Sequence, residues 1–311
     1  MAQMKENVLD IRANEINKFW LQLDANDRSS IDQTKAAYGI DFSYANEKVW
    51  VTDQFIYLPV TVERRDGDSV DRQKVVFALG ENLLVTLQPC VPFDLFDKGI
   101  ALMRRNPSIA VSPQSIMYAL LYSLCESCER VVDFISDVLD NMSEETDVAC
   151  AGQDKTGKII TEGTAQEVVS CLGRCEGVLS RTQESLLKIN RAARHLRSDI
   201  EGDLSLRERV DLLASDLNVV RDHASFEQDK VRFLQSSIMT ALSQKQNGIV
   251  KVFTIITAVF LPPTLIATFY GMNFTYMPEL LLPDGFLITT GLTLLAALVP
   301  LVYIRKMGWL R

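Results

Sequence analysis

The sequence predicts an α+β chain: an N-terminal α/β domain, a long helical hairpin, a stalk helix, and two C-terminal helices that cross a membrane. Three observations carry that reading. Apolar and β-branched runs broken by turn residues fill residues 45 to 90, apolar residues recur every three or four positions from Ser112 onward, and two long uncharged runs close the chain. At 311 residues and 47% hydrophobic content there is material for two domains, or for one domain with membrane segments. The boundaries drawn are 1–110 for the α/β domain, 111–205 for the hairpin, 206–248 for the stalk and 249–311 for the membrane part, with spans at about 249–270 and 286–304.

Strands are expected at Val49 to Val51, Phe55 to Val62, Val75 to Leu79 and Leu83 to Leu87, with turns at Asp66-Gly67-Asp68 and Gly80-Glu81-Asn82. Ala13 to Leu23 and Asp94 to Met103 have a helical rhythm. Ile116, Leu120, Leu124, Val131, Phe134 and Val138 mark one apolar face of a helix from Ser112 to about Met142. A loop at Ser143 to Gly163 would then reverse the chain into a second helix, about Thr164 to Ser198. The third pattern begins near Leu206 and meets no Pro or Gly before Gly248, so a strut of more than 40 residues, roughly 60 Å, leads into the first apolar run. No compact domain needs such a strut, whereas parallel stalks around a common axis do.

Val252 to Phe269 is 18 residues without a charge and Phe286 to Ile304 is 19, each near the ~20 residues that cross a hydrocarbon core. Lys245 and Lys251 before the first run and Arg305-Lys306 after the second place both ends in the cytoplasm. No basic start followed by an apolar stretch opens Met1 to Asp10, which fits a cytoplasmic N-terminus. Two helices cannot enclose an aqueous path, so conduction requires several copies in a closed ring.

Charge is distributed unevenly. The formal net charge is −8, and Lys251, Arg305, Lys306 and Arg311 against Glu279 and Asp284 leave the region from residue 246 at +2, so residues 1–245 carry −10. An acidic soluble part argues against nucleic acid, which requires basic patches to displace counterions, and suits a neighbourhood of metal cations. Cys90, Cys125, Cys128, Cys150, Cys171 and Cys175 are expected as reduced thiols. Cys125, Cys128, Cys171 and Cys175 have spacings a zinc site can use, but folding about the 143–163 loop sets Cys128 near residue 178 and leaves the two pairs only roughly in register. His195 and His223 are the only histidines, and neither neighbours a nucleophile at a recognisable elbow. No phosphate-binding Gly-rich loop is present. An enzyme is not expected, and no cofactor is implied.

The first apolar run carries a polar stripe: Asn247, Thr254, Thr257, Thr264 and Thr268 are 7, 3, 7 and 4 residues apart, on one helical face. Val250 and Leu261 share that face, where apolar rings can close a pore by excluding water. Pro262-Pro263 removes two backbone donors and should bend the helix or expose carbonyls. The alternative for each threonine is a hydroxyl bonded to its own backbone.

At the end of that run the chain reads Tyr270-Gly271-Met272-Asn273-Phe274, preceded by Phe260-Leu261-Pro262-Pro263-Thr264-Leu265 and followed by Met277-Pro278-Glu279-Leu280. This resembles the CorA family of Mg²⁺ channels. The likeness is detailed from about Asn247 to Leu280 and extends in layout over the whole chain. It implies a funnel-shaped homopentamer in the inner membrane that admits hydrated divalent cations, chiefly Mg²⁺, with Co²⁺ or Ni²⁺ as surrogates. It also implies an outer ring formed by Asn273, with Gly271 permitting a tight chain reversal and Met272 packing beside it. By the same resemblance Asn247, Val250, Thr257, Leu261, Thr264 and Thr268 line the pore, and cytoplasmic Mg²⁺ between subunits holds it shut. Asp211, Asp216, Asp222, Glu227 and Asp229 on the stalk are the acidic residues on offer for that regulation. Many relatives carry an acidic residue just after Gly-Met-Asn-Phe where this chain has Thr275, leaving Glu279 as the principal loop carboxylate. Zinc transport, as in relatives of the same superfamily, and a membrane-anchored structural or signalling role without conduction are the alternative readings.

Overall fold

The computed structural model describes residues 18–44, 48–67, 69–151, 162–272 and 284–308, and the chain divides into two compact units, Met1–Gln235 and Ser236–Arg311. The first unit opens on β1 (Trp20–Asp24) and α1 (Arg28–Tyr38). It continues through β2 (Trp50–Val51), β3 (Phe55–Asp66), β4 (Ser69–Gly80) and β5 (Leu84–Gln88) to α2 (Asp97–Arg105). Then come α3 (Pro113–Ala151), α4 (Glu162–Asp199) and α5 (Leu204–Tyr270), the last of which runs into the second unit; α6 (Gly285–Lys306) follows there.

The five strands form one sheet in the order β1-β5-β4-β3-β2, with β1 parallel to β5 and the other pairs antiparallel. The β3–β4 hairpin is longer than the apolar run predicts, because its polar ends Glu63 to Asp66 and Ser69 to Lys74 stay in register through the turn. Gly67 takes φ 58° there, a left-handed conformation that glycine adopts freely. The expected helical rhythm of Ala13 to Leu23 is corrected from Trp20 onward: Trp20 to Asp24 pair residue by residue with Leu84 to Gln88. The Trp20 indole N–H donates to Thr86 Oγ1 at 3.0 Å inside the core. Residues 13–17 of that stretch lie outside the described residues. Helix α1, which the apolar pattern does not announce, is started by Asp27, whose carboxylate accepts from the N–H groups of Ser29 and Ser30, and ended by Gly39 at φ 73°.

One face of the sheet buries Leu23, Ile40, Tyr57, Val76, Ala78 and Val85 together. The helical layer contributes Ile116, Leu120, Leu124 and Val131 on α3, buried as their periodicity predicts, whereas Phe134 and Val138 of the expected face are only partly buried and Ile135 and Leu139 take the buried places. Ser112 caps α3, accepting from the Ser115 N–H at 3.2 Å, and Pro113 opens the first turn, where its missing N–H is harmless. Helix α3 continues nine residues past Met142 into the expected loop, and residues 152–161 lie outside the described residues. Helix α2 lies so close to α3 that a Cβ on Gly99 would sit 2.5 Å from the Ala119 carbonyl oxygen, a backbone atom that cannot swing away.

The stalk part of α5 repeats apolar buried positions with alternating steps of four and three: Leu206, Val210, Leu213, Leu217, Val220, Ala224, Val231, Leu234 and Ile238. Glu227 occupies the one polar place in that series, 2% exposed, and its Oε1 accepts from Ser136 Oγ on α3 at 3.0 Å. His223 stands between Glu227, 3.6 Å from Nε2, and Asp133 on α3, 3.9 Å from Nδ1. Such a polar insertion in an apolar seam fixes which residues of the two helices face each other.

A second buried acid sits on β3. Both oxygens of Glu63 lack a hydrogen-bond donor, and its nearest cations are Arg181 and Arg72, 3.6 and 3.7 Å from Oε1. Burial wins over these two guanidiniums, each half-exposed, and holds the carboxyl above its ordinary range.

Two outcomes follow for the full-length protein. Gly99→Ala forces α2 off α3 and costs about 1–3 kcal/mol, read as a lowered Tm; an unchanged Tm removes the close-packing argument. A carboxyl with a raised folded pKa stabilises the fold while protonated, below the unfolded value of about 4.3, and loses that contribution as pH climbs through the folded pKa. Glu63→Gln is therefore expected to gain stability relative to the unsubstituted protein as pH rises above the ordinary carboxylate range. A difference in Tm that stays flat with pH would rule this out.

Candidate ion pathway

The second unit consists of the membrane part of α5 and of α6. Within their apolar windows 0% and 6% of residues are buried, so these are not the core helices of a soluble domain. Phe253, Phe260, Leu265, Phe286, Leu287 and Leu298 stand exposed along them. Pro262 and Pro263 leave the helical path of α5 unbroken as far as Tyr270. They supply no N–H, so the carbonyls of Ala258 and Val259 have no partner four residues on.

At 100° per residue, Asn247, Val250, Thr254, Thr257, Leu261, Thr264 and Thr268 fall within an arc of about 100° on α5. All seven are exposed, as are Val252, Phe253, Ile256 and Phe260 outside that arc, whereas Ile255, Val259, Pro262 and Ile266 are partly covered. The hydroxyl stripe is thus part of the surface the single chain leaves open.

Each threonine hydroxyl on it donates to the carbonyl four residues earlier: Thr254 to Val250 and Thr257 to Phe253 at 2.8 Å, Thr264 to Phe260 at 2.6 Å, and Thr268 to Thr264 at 2.7 Å. The backbone-bonded reading therefore holds for each of these threonines. The proton is committed to the backbone, and the oxygen keeps lone pairs that can only accept. Such oxygens form a row of acceptors along one side of the helix. Thr289, Thr290 and Thr293 on α6 bond their own backbone in the same way and line, with Ala267, Tyr270 and Phe286, a cavity of about 390 Å³ between the two helices.

Helix α5 ends as the Gly271 N–H bonds the carbonyls of Ala267 at 3.0 Å and Thr268 at 3.2 Å. Gly271 does not take a positive φ, and the chain reversal expected beyond it lies outside the described residues. Its constraint is room, since a Cβ would lie 3.1 Å from the Ala267 oxygen. Met272 is half-exposed. Asn273, Thr275 and Glu279 lie outside the described residues.

The stalk acids are dispersed within one chain. Asp211 pairs with Arg197 on α4 at 3.0 Å, Asp222 with Arg221 at 3.1 Å and Asp229 with Arg232 at 3.3 Å. Asp216 is exposed, and Glu227 points into the seam with α3. Among the described residues no three His, Cys, Asp or Glu side chains gather to hold a metal. That includes the two cysteine pairs, whose thiols are free. Burial pushes the Cys125 thiol up to about 12 and that of Cys175 to about 11, far from the thiolate a metal requires. Sequence reasoning missed Glu63; its one signal was the cross-strand pairing with Arg72 in a strand otherwise rich in valine.

Comparison with known proteins agrees with this layout. The magnesium transport protein CorA of Pasteurella multocida is 30% identical over 190 residues, which are 60% of this chain and 60% of that protein. The corresponding protein of Wolinella succinogenes is 26% identical over 91% of this chain and 82% of its own length. Among solved structures, the complete CorA magnesium transporter from Methanocaldococcus jannaschii superposes with a TM-score of 0.72 at 18% identity, over 94% of this chain and 92% of that one, and so shares its fold. The sequence model of the CorA-like Mg²⁺ transporter proteins matches residues 18–306, and the chain belongs to that family.

Proposed function

We propose that copies of this chain form a ring, a homopentamer, in the inner membrane, with both termini cytoplasmic and the first span of each copy facing a central path for hydrated Mg²⁺. The observation that carries this reading is the open stripe of acceptor-only threonine oxygens on α5. Mg²⁺ surrenders its six waters reluctantly, and a coordinated water turns its protons outward. A wall of acceptors meets those protons without stripping the shell. Asn273 supplies an amide oxygen of the same kind at the outer mouth, and Glu279 beyond it draws cations in.

Asn247 marks the cytoplasmic end of the path, and Val250 and Leu261 form its apolar constrictions. With no nucleotide site to drive uptake, the membrane potential suffices: a divalent ion gains roughly 4.6 kcal/mol per 100 mV, twice the value for one charge. Regulation by cytoplasmic Mg²⁺ falls to the exposed acids Asp216, Asp222 and Asp229 acting between copies.

Reconstituted in liposomes, the protein is expected to pass Mg²⁺ inward under an inside-negative potential and to slow as internal Mg²⁺ rises. The triple variant Thr257→Val, Thr264→Val, Thr268→Val keeps side-chain volume but removes three acceptors worth about 1 kcal/mol each. Its flux should drop at least about tenfold, as should that of Asn273→Ala. Unchanged flux in both, with assembly mass intact, would overturn the pathway; no flux in the unsubstituted protein would favour a chain of channel ancestry that no longer conducts.

A further inference from the structure

The last turns of α4 concentrate positive charge in a part of the chain that is otherwise acidic. Between Ser185 and Ser198 stand Lys188, Arg191, Arg194 and Arg197 and no carboxylate, although residues 1–245 carry −10 in all. Two of the four cations are engaged within the fold: Lys188 pairs with Glu184 at 2.7 Å and Arg197 with Asp211 at 3.0 Å. The other two are not, since among the described residues Arg191 and Arg194 meet no carboxylate. With His195 and Ser198 they occupy positions i, i+3, i+4 and i+7 on one side of α4, while Ala192, Ala193 and Leu196 bury the other. Among the described residues these four side chains line an open cleft of about 390 Å³. The acids that follow at the bend into α5 are mostly occupied. Asp199 accepts from Gln114 Nε2 at 3.0 Å and Asp203 from the Leu206 N–H at 3.0 Å, which leaves Glu201 exposed.

We propose that this cleft binds a small molecule with at least two linked phosphates, of the nucleoside triphosphate or inorganic polyphosphate class. A guanidinium presents a planar fork of N–H donors that matches two oxygens of one phosphoryl group, and it keeps its charge throughout the physiological range. Arg191 and Arg194 lie about one turn apart, with Cβ atoms about 5–6 Å from each other, so the two forks serve neighbouring phosphates. His195, partly buried beside them, adds a ring N–H as a third donor. Ser198 supplies no proton, because its hydroxyl donates to the His195 carbonyl at 2.8 Å. The surroundings set the size of the ligand. A long polyanion would run from the basic turns onto a surface of net negative charge, whereas a short one ends where the arginines end. The cleft lies wholly in the unit Met1–Gln235 and shares no residue with the proposed ion path.

The test titrates full-length protein in detergent with inorganic tripolyphosphate and with adenosine triphosphate, by calorimetry in Mg²⁺-free buffer at ~0.15 M salt. Saturable binding is expected, and Arg191→Gln with Arg194→Gln should weaken it at least about tenfold with Tm unchanged. Arg174→Gln, at an exposed arginine earlier on the same helix, should leave the affinity as it was. Equal affinity for the two probes assigns recognition to the phosphate chain, and tighter adenosine triphosphate adds the nucleoside to what the cleft reads. Absence of saturable binding, unchanged affinity in the double variant, or an equal loss in Arg174→Gln overturns the site. A single-stranded DNA oligonucleotide that outcompetes both probes overturns the choice of a small ligand. No flux is measured, so the outcome stands apart from whether the ring conducts.

Discussion

Apolar side chains that no part of their own chain covers must be covered by lipid or by another molecule, and in this protein that requirement falls on almost every residue of the two C-terminal helices. The hydrocarbon in turn demands that backbone polar groups be satisfied internally, which helices do. Departures from that rule then become informative. The oxygens of four threonines form a polar thread along one side of an otherwise greasy helix, and the carbonyls of Ala258 and Val259, which Pro262 and Pro263 leave without an N–H four residues on, are a separate departure on its partly covered side. A helix surrounded by lipid on every side gains nothing from such a thread; a helix with one wet face does.

The orientation of the hydroxyls matters more than their number. A threonine free to rotate offers water either a proton or a lone pair, and so suits anions and cations alike. Once the proton is held by the preceding turn, the side chain becomes an acceptor of fixed direction, and the distinction between ion types is built into the backbone geometry. In the pathway proposed above such acceptors address the water shell and leave the metal alone, so the desolvation that would make a bare dication costly is avoided. In that proposal neutral groups suffice, since full charges along the path would hold a divalent ion too tightly to release it.

The parts of the structure legible in the sequence are those governed by a single periodicity. The spans follow from uninterrupted apolar length, α3 from its apolar face, and the stalk from its lack of helix breakers. What escaped was decided by pairing across distance. Trp20 to Leu23 fit a helical rhythm locally, yet the edge of the sheet offered by Leu84 to Gln88 and the Thr86 hydroxyl claim them as a strand. Glu63 reads as a polar interruption near the end of a strand, and only the arrival of α4, with Arg181, turns it into a buried acid. At Gly271 the structure adds a crowding that spacing does not reveal, from the last turn of its own helix. The stripe itself was fully legible, because spacing along a helix fixes its face.

The stalk keeps its apolar seam and its exposed acids on separate sides of one helix. The seam residues commit α5 to the hairpin. Within that seam Glu227 pins the register through Ser136, because sliding by one turn would strand its carboxylate among valines and leucines. The exposed acids Asp216, Asp222 and Asp229 sit on other sides of the same helix, so the packing that fixes the stalk to the hairpin and the charges it shows to solvent are carried by different residues.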